Sequence, residues 1–287
     1  MTTLPLDERP RLFALAYRML GSAADADDIL QEAFLRFHQA EAAPDTPGAW
    51  LTTVVTRLCL YRLKSAQRRR EAYVGPWLPE PLATPDAPAA PDAGERISIA
   101  ESVSMAFLLV LERLSPLERA VFLLREVFDV DFAEIATALE RSEAACRQLF
   151  HRAREHVSAA RPRFAPAKAA HQALVTAFLA ATATGDLEGM KRLLADDVVM
   201  VPDSGGKAQS ARKIVEGADR VARFLAGSTR LLGGHRFEMA WVNGEVAIVD
   251  RNAQGAAETV MVFSLSPDGS RIARVSSIRN PDKLRAF

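Results

Sequence analysis

The stretch Phe132–Val157, FAEIATALERSEAACRQLFHRAREHV, constrains the fold more than any other part of this chain. Its first half puts Ile135, Ala136 and Leu139 on one side of a short helix, and Ala136 is small enough to let a second helix cross closely. Ser142 then stands where an N-cap belongs, its hydroxyl able to accept from an orphan backbone N–H of the next turn. Beyond it Cys146, Leu149, Phe150, Ala153 and Val157 recur at helical spacing and mark one buried stripe. The opposite arc carries Ala144, Gln148 and His151, flanked by Glu143, Arg147, Arg152 and Arg154. Two short helices joined by a tight turn, the second exposing a long amide, forked cations and an acid, form a helix-turn-helix suited to base edges and phosphates. The plainer alternative is an amphipathic helix pair with a solvated charged face. Glu140 fits poorly, because it stands in the turn where a glycine would relieve a left-handed conformation.

At 287 residues the chain has room for two or three domains. Its formal charge is zero, so nucleic-acid affinity has to come from local clusters rather than from the total. Two cysteines, Cys59 and Cys146, lie far apart within expected helices and suggest neither a disulfide framework nor a metal site. No cofactor is called for. No apolar run approaches about 18 residues, and no signal peptide opens the chain, which reads as cytoplasmic with no membrane partner.

Residues 10–70 read as three helices. The first, near Pro10–Leu20, stops at Gly21. The second begins at Asp25-Ala26-Asp27-Asp28, acids that complement a helix N-terminus, and continues through Ile29, Leu30, Ala33, Phe34 and Phe37. The third opens with Thr46 and Pro47 and buries Trp50, Leu51, Val54, Val55 and Leu58. Between Arg57 and Arg70 the charge becomes wholly basic: Arg57, Arg62, Lys64, Arg68, Arg69 and Arg70, with no acid among them. Arg57, Lys64 and Arg68 share a face that includes Tyr61. Cations interleaved with an aromatic ring suit a melted strand, whose phosphates need counter-charge and whose bases need a stacking surface. A solvated basic helix end is the bland alternative.

Pro76–Glu95 is a proline-rich linker, extended and stiff. Trp77 and Leu78 are out of place in a mere spacer, since large apolar groups in an extended stretch usually dock on something. Helices return from Ile97 to Val157, with Ser115-Pro116-Leu117-Glu118 as a capping-box start. After Pro166 the texture changes to α+β: helices at Ala169–Thr184, Leu187–Leu194 and Ala218–Ala226, and strands at Val198–Val201, Arg236–Val242, Val246–Asp250, Thr259–Leu265 and Ile272–Ile278. Asn243-Gly244 signals a hairpin. Phe237, Met239 and Trp241 share a strand face, and the expectation is a curved antiparallel sheet closed by helices around a central pocket.

With these parts in order, the chain resembles the extracytoplasmic-function sigma factors, and within them the SigJ-type subgroup that carries a C-terminal SnoaL-like domain. The matching stretches are DADDILQEAFLRF and the following WLTTVVTRLCL, YVGPWLPEPL in the linker, RSEAACRQL and HRAR in the helix-turn-helix, and NPDKL at Asn280–Leu284. Asp203-Ser204-Gly205-Gly206-Lys207 resembles the subgroup's glycine-rich loop, with Ser204 where a glycine is usual. Tyr61 stands where such proteins more often have an acid. The resemblance implies a multidomain chain: residues 1–75 as sigma region 2, 76–96 as linker, 97–163 as sigma region 4, and 164–287 as the SnoaL-like α+β cone. It implies that Asp25, Asp27, Asp28, Gln31 and Glu32 dock on the clamp coiled coil of core RNA polymerase, with the flap as a further polymerase contact. The loop Glu41–Gly48 and the helix bearing Arg57, Tyr61, Arg62, Lys64 and Arg68 would melt and hold promoter DNA at −10. Glu143, Ala144, Arg147, Gln148 and His151 would enter the major groove at −35, with Arg152 and Arg154 on phosphates. The C-terminal domain would regulate by lying against the first helical domain, through Trp77 and Leu78, through the loop Asp203–Lys207 with Asp203, Gly205, Gly206 and Lys207, and through the tail Asn280–Leu284 with Asn280, Pro281 and Asp282.

The cone fold hosts isomerases and cyclases as well as binders, so fold alone gives no activity. His235 and Asp250 are the candidate acid–base residues for catalysis, but the chain reads as a regulator rather than an enzyme. Two rivals stay open at this point. A ligand-responsive repressor would leave the Arg57–Arg70 helix without a task, and an enzyme with an appended helical domain would need a convincing catalytic pair.

Overall fold

The structure, a computed structural model, describes residues 5–40, 42, 44–84, 104–160, 168–231 and 235–287, except the side chains of 66–71, 160, 168 and 229–231. Glu41 and Ala43 of the expected DNA-melting loop, the later part of the linker and the expected helix start at Ile97 lie outside these residues. The chain divides into two compact units. Of the described residues, one unit holds 5–71 and 107–160, and the other holds 72–84, 104–106 and 168–287.

In the first unit α1 (Arg9–Leu20), α2 (Ala23–His38) and α3 (Pro47–Glu71) bury Leu12, Leu15, Met19, Leu30, Phe37, Leu51 and Val55 among themselves. Phe37 meets Trp50 edge to face at 5.7 Å. Helix α2 starts two residues before its acids, because the hydroxyl of Ser22 accepts from the backbone N–H of Asp25 and caps it. After α4 (Met105–Leu111), α5 (Pro116–Phe122) opens with the expected capping box, Ser115 and Glu118 bonding each other's backbone N–H groups. It runs on into one wide turn, Leu123–Val127, which no sequence signal announced. Helices α6 (Phe132–Leu139) and α7 (Glu143–Ala160) follow. Ser142 accepts from the N–H of Ala145, and Cys146, Ala153 and Val157 are buried as the stripe required.

Two arginines lock this unit, each by filling the carbonyl end of a helix from another element. Buried Arg119 of α5 donates through Nη1 to Met19 O (2.7 Å) near the end of α1 and to Glu112 (2.8 Å). Arg57 of α3 donates to Ala138 O (2.8 Å) and Thr137 O (3.0 Å) at the end of α6. Terminal carbonyls lack partners within their own helix and carry the negative end of its dipole, so a guanidinium is their natural cap. Glu140 does take the left-handed conformation, φ 53°, at the end of α6. Its carboxylate reaches Arg57 at 3.1 Å, an interaction that glycine could not make. At 76% exposure of the Glu140 side chain this pair is screened and contributes little by itself.

In the second unit α8 (Lys168–Thr184), α9 (Leu187–Leu193) and α10 (Ala218–Leu231) cover a six-stranded sheet. The strands are β1 (Leu194–Asp203), β2 (Val215–Glu216), β3 (Arg236–Val242), β4 (Glu245–Arg251), β5 (Ala257–Leu265) and β6 (Ile272–Ile278). Their order is β2-β1-β6-β5-β4-β3. The sheet is mixed, not purely antiparallel as expected, because β1 pairs with β6 in parallel across the intervening helix and hairpins. Strand β1 also extends well beyond Val198–Val201, and β2 is too short to show any alternation. The β3–β4 hairpin turns at Asn243-Gly244, both with positive φ, as a two-residue turn of this type demands. Phe237 and Trp241 pack against the helix-covered core. Met239 shares their parity but remains 44% exposed, with the Thr176 hydroxyl of α8 3.4 Å from its sulfur.

His171 on α8 is buried in this core, with Nε2 3.0 Å from Phe263 O. Burial pushes its pKa below the ordinary 6.5, and the bond to the carbonyl only partly offsets that. The folded unit therefore holds the neutral ring, whereas the unfolded chain takes up a proton near pH 6.5. This contribution is full above that pH and is lost as the pH falls through the lower folded value. The second unit is expected to melt at lower temperature as pH drops below about 6.5, with a shallower slope in His171→Gln. Identical acid profiles for the two proteins would assign the loss to other groups.

Candidate nucleic-acid interface and a buried linker clamp

Helix α7 turns Glu143, Ala144, Arg147, Gln148, His151, Arg152 and Arg154 outward together, because the buried stripe fixes its rotation. Arg147 is held in place by its neighbours. Its Nη2 bonds Glu143 at 2.8 Å and its guanidinium lies 4.5 Å from the centroid of the Phe132 ring. Arg152 reaches Glu118 of the capping box at 3.4 Å, and His151 lies 3.7 Å from Glu155.

The basic helix divides into two faces. Tyr61 is 76% exposed and Lys64 is exposed too, while Arg57 spends its donors on the end of α6. Arg62 turns the other way, to Asp28 at 2.9 Å and Asp25 at 3.6 Å. It therefore lies with the acids of α2 rather than with the cations of its own helix. The Arg68 side chain falls outside the described residues. Among the acids, Asp27 pairs with Arg9 at 2.7 Å and Glu32 with Arg36 at 2.8 Å, while Gln31 is exposed.

In the second unit the linker, the glycine-rich loop and the tail close on one another around one carboxylate. Asp203, at the end of β1, is fully buried. Its Oδ1 accepts from the Tyr73 hydroxyl at 2.5 Å, and its Oδ2 from the Leu78 N–H and from Lys283 Nζ, both at 2.7 Å. Lys283 also donates to Leu78 O at 2.5 Å and lies 4.4 Å from the Trp77 ring centroid. Asn280 donates to the Tyr73 oxygen at 2.8 Å and accepts from Asp282 N–H, opening the short turn Pro281–Lys283. Lys207 pairs with Asp282. Burial, then the bond to Asp203, pushes the Tyr73 phenol well above its ordinary pKa, so it stays a donor at physiological pH.

The glycines of this loop are obligatory for space as well as conformation. Gly205 and Gly206 have φ 57° and 72°. A Cβ on Gly205 would come within 2.6 Å of Asn280 Nδ2 and 2.8 Å of the Tyr73 oxygen, and one on Gly206 within 3.1 Å of Val74. Ser204 has no positive φ, and its Oγ accepts from Gly206 N–H, so a side chain is tolerated there.

Further along, the linker pairs with the sheet edge. Ala83 bridges Val242, Thr84 N–H donates to Trp241 O at 2.9 Å, and Asn243 N–H donates to Leu82 O at 2.8 Å. The Asn243 side chain accepts from Leu82 N–H at 3.0 Å. An edge strand presents unpaired backbone groups, and the linker meets those at the Trp241–Asn243 end of β3 as an added strand would. Sequence reasoning gave a docking role to Trp77 and Leu78, to the loop Asp203–Lys207 and to the tail that contains Lys283, but missed Tyr73 and Asn243, which bond across the same seam. A buried lysine–aspartate pair 80 residues apart leaves no local signal.

His235 and Asp250 do come together, with Nδ1 2.7 Å from Oδ1. Asp250 is one wall of a cavity of about 250 Å³ inside the cone. Among the described residues no group of three His, Cys, Asp or Glu side chains is placed to hold a metal, and no helix is long and apolar enough to cross a membrane.

Comparison with known proteins accounts for these parts together. The family Sigma-70 region 2 matches residues 6–69, Sigma-70 region 4 matches 104–157, and the SnoaL-like domain matches 175–277. The ECF RNA polymerase sigma factor SigJ of Mycobacterium tuberculosis (strain H37Rv) is 40% identical over 286 residues, 96% of this chain and 90% of that protein. A probable ECF RNA polymerase sigma factor, SigI, of the same species is 37% identical over 220 residues, 74% of this chain and 71% of its own length. The crystal structure of M. tuberculosis SigJ aligns with a TM-score of 0.74 at 38% identity, covering 98% of this chain and 96% of that one. With three domain matches in the same order and near-complete coverage of SigJ, the chain belongs to the extracytoplasmic-function sigma factors that carry a C-terminal SnoaL-like domain.

Proposed function

We propose that this sigma factor joins core RNA polymerase in the cytoplasm, reads its promoters at −10 and −35, and is regulated by its own C-terminal domain rather than by catalysis. Residues 1–75 act as the −10 and polymerase-binding module, 76–96 as linker, 97–163 as the −35 module and 164–287 as the regulatory domain. The carrying observation is the single exposed face of α7, on which a guanidinium fork, an amide and an imidazole lie side by side. That set suits bidentate contacts in a major groove.

Arg147 is the residue assigned to base reading. The Arg147→Ala variant is expected to lose about 1–3 kcal/mol of promoter affinity and to relax base preference at −35. Arg154→Ala weakens all sequences alike and lowers the salt dependence by about one phosphate contact. Binding-site selection on both variants tests the assignment. An unchanged −35 preference in Arg147→Ala removes it.

Arg57 adds a regulatory step. While it caps α6 it is not free to meet a phosphate, so −10 engagement by this residue requires α3 and α6 to part. The linker clamp supports the C-terminal domain as the controlling element, since linker length and freedom set how far the two DNA-reading modules can separate.

A further inference from the structure

The guanidinium of Arg147 stands at the outer end of a stack of rings that begins in the core behind the helix-turn-helix. Phe122 of α5, 1% exposed, lies 6.2 Å from Phe107 and 6.2 Å from Phe150, with only 23° between the planes of the latter pair. Phe150 of α7 meets Phe132 edge to face at 5.7 Å. Phe132, half-buried at the start of α6, carries the Arg147 guanidinium over its ring at 4.5 Å from the centroid.

A second cation grips the same ring. Arg125, in the wide turn Leu123–Val127, lies 5.4 Å from the Phe132 centroid. It is itself tied down, donating to Val130 O at 3.2 Å and to Asp131 at 3.3 Å. One aromatic edge and two guanidinium groups therefore fix the orientation of Phe132.

The Arg147 side chain is 59% exposed, and a free arginine at such a site samples many rotamers. Here the ring sets the plane of its fork, and the Glu143 carboxylate, 2.8 Å from Nη2, sets its direction. Most of the guanidinium donors stay available to DNA. Arg154, exposed on the same helix, is the contrast: among the described residues it has no ring or carboxylate partner. The difference follows the two tasks. A phosphate contact carries no sequence information and tolerates a mobile cation, whereas the O6 and N7 acceptors of guanine, met bidentately, demand a fork held in one plane.

We propose that Phe132 is a positioning residue for −35 recognition: its ring presets the Arg147 fork for one guanine, and so sets the selectivity of that position rather than the strength of DNA binding as a whole. This rests on the base-reading role given to Arg147 above. Binding-site selection with holoenzyme formed from the full chain tests it. The wild-type protein is expected to enrich guanine by about tenfold or more at the position whose preference Arg147→Ala loses. Phe132→Leu is expected to lower that enrichment by about two- to fivefold, the worth of one exposed cation–ring contact, with the other −35 positions unchanged. In the Arg147→Ala background Phe132→Leu is expected to change nothing further there. Leucine also alters the packing against Phe150, so replacement of Phe132 by pentafluorophenylalanine supplies the second measurement. It keeps the ring shape and reverses the quadrupole. It is expected to lower guanine enrichment at least as far as leucine does, with the melting temperature close to that of wild type.

Unchanged guanine enrichment in the pentafluorophenylalanine protein overturns the role of the ring. An equal loss at every −35 position in both variants reduces Phe132 to packing and overturns it too. Selection that Arg147→Ala leaves unaltered removes the base-reading role itself and the positioning role with it, an outcome distinct from failure of the Phe132 variants alone.

Discussion

Asp203→Ala is expected to lower the melting temperature of the second unit by about 10 °C and to free the linker for cleavage by a protease. The carboxylate is fully buried and serves three donors, Tyr73 Oη–H, Leu78 N–H and Lys283 Nζ. Removing it leaves the Lys283 ammonium, only 11% exposed, without its counter-ion. Losing one partner of a buried pair costs about 3–5 kcal/mol, and each kcal/mol moves the melting point of a unit this size by about 3 °C. The double variant Asp203→Ala/Lys283→Met separates two causes. It removes the stranded charge as well, so it is expected to recover part of the loss. Equal melting temperatures for wild type and Asp203→Ala would make the clamp incidental to the fold. Under the proposed regulation the same variant also changes run-off transcription, because the linker no longer holds its docked path.

The second large effect concerns the acids of α2. Converting Asp25, Asp27 and Asp28 together to lysine is expected to remove the co-eluting complex with core RNA polymerase, a loss of at least about tenfold in affinity, or 1.4 kcal/mol. The internal partners of these acids have to be weighed against that. Asp27 pairs with Arg9, and Asp25 and Asp28 with Arg62. Asp27 and Asp28 are 45% and 62% exposed, so their pairs are worth at most about 1 kcal/mol each. Three cations in the first turns also oppose the helix dipole, by about 0.3–1 kcal/mol apiece. The buried stripe Ile29, Leu30, Ala33 and Phe37 and the Ser22 cap remain, so the circular dichroism spectrum is expected to be unchanged. The asparagine triple variant checks this, since it removes the negative charge without introducing repulsion. Assembly at wild-type affinity in both variants would return these acids to a purely local role at the helix end.

The helices of both units and the face of α7 were legible in sequence because their causes are local. An apolar side chain every three or four residues decides which side of α7 is buried, and so which side Arg147 and Gln148 occupy. Ser115 and Glu118 set the start of α5 across three residues, and Asn243-Gly244 sets its hairpin across two. The left-handed turn at Glu140 was equally visible; the reason for a side chain there was not, since its partner Arg57 is 83 residues earlier in the chain.

Only the tertiary structure decided what the long side chains do. Arg57 and Arg62 both read as members of one basic run, but helix rotation sends one to the end of α6 and the other to the acids of α2. The parallel pairing of β1 with β6 depends on how the helices and hairpins between them return, which no alternation pattern encodes. Trp77 and Leu78 announced that the linker docks, because exposed apolar bulk in an extended chain costs free energy in water. Where it docks was fixed by the buried charge of Asp203. That carboxylate needs donors on every side, and they arrive from residues 73, 78 and 283, distant in sequence and adjacent only once the sheet has formed.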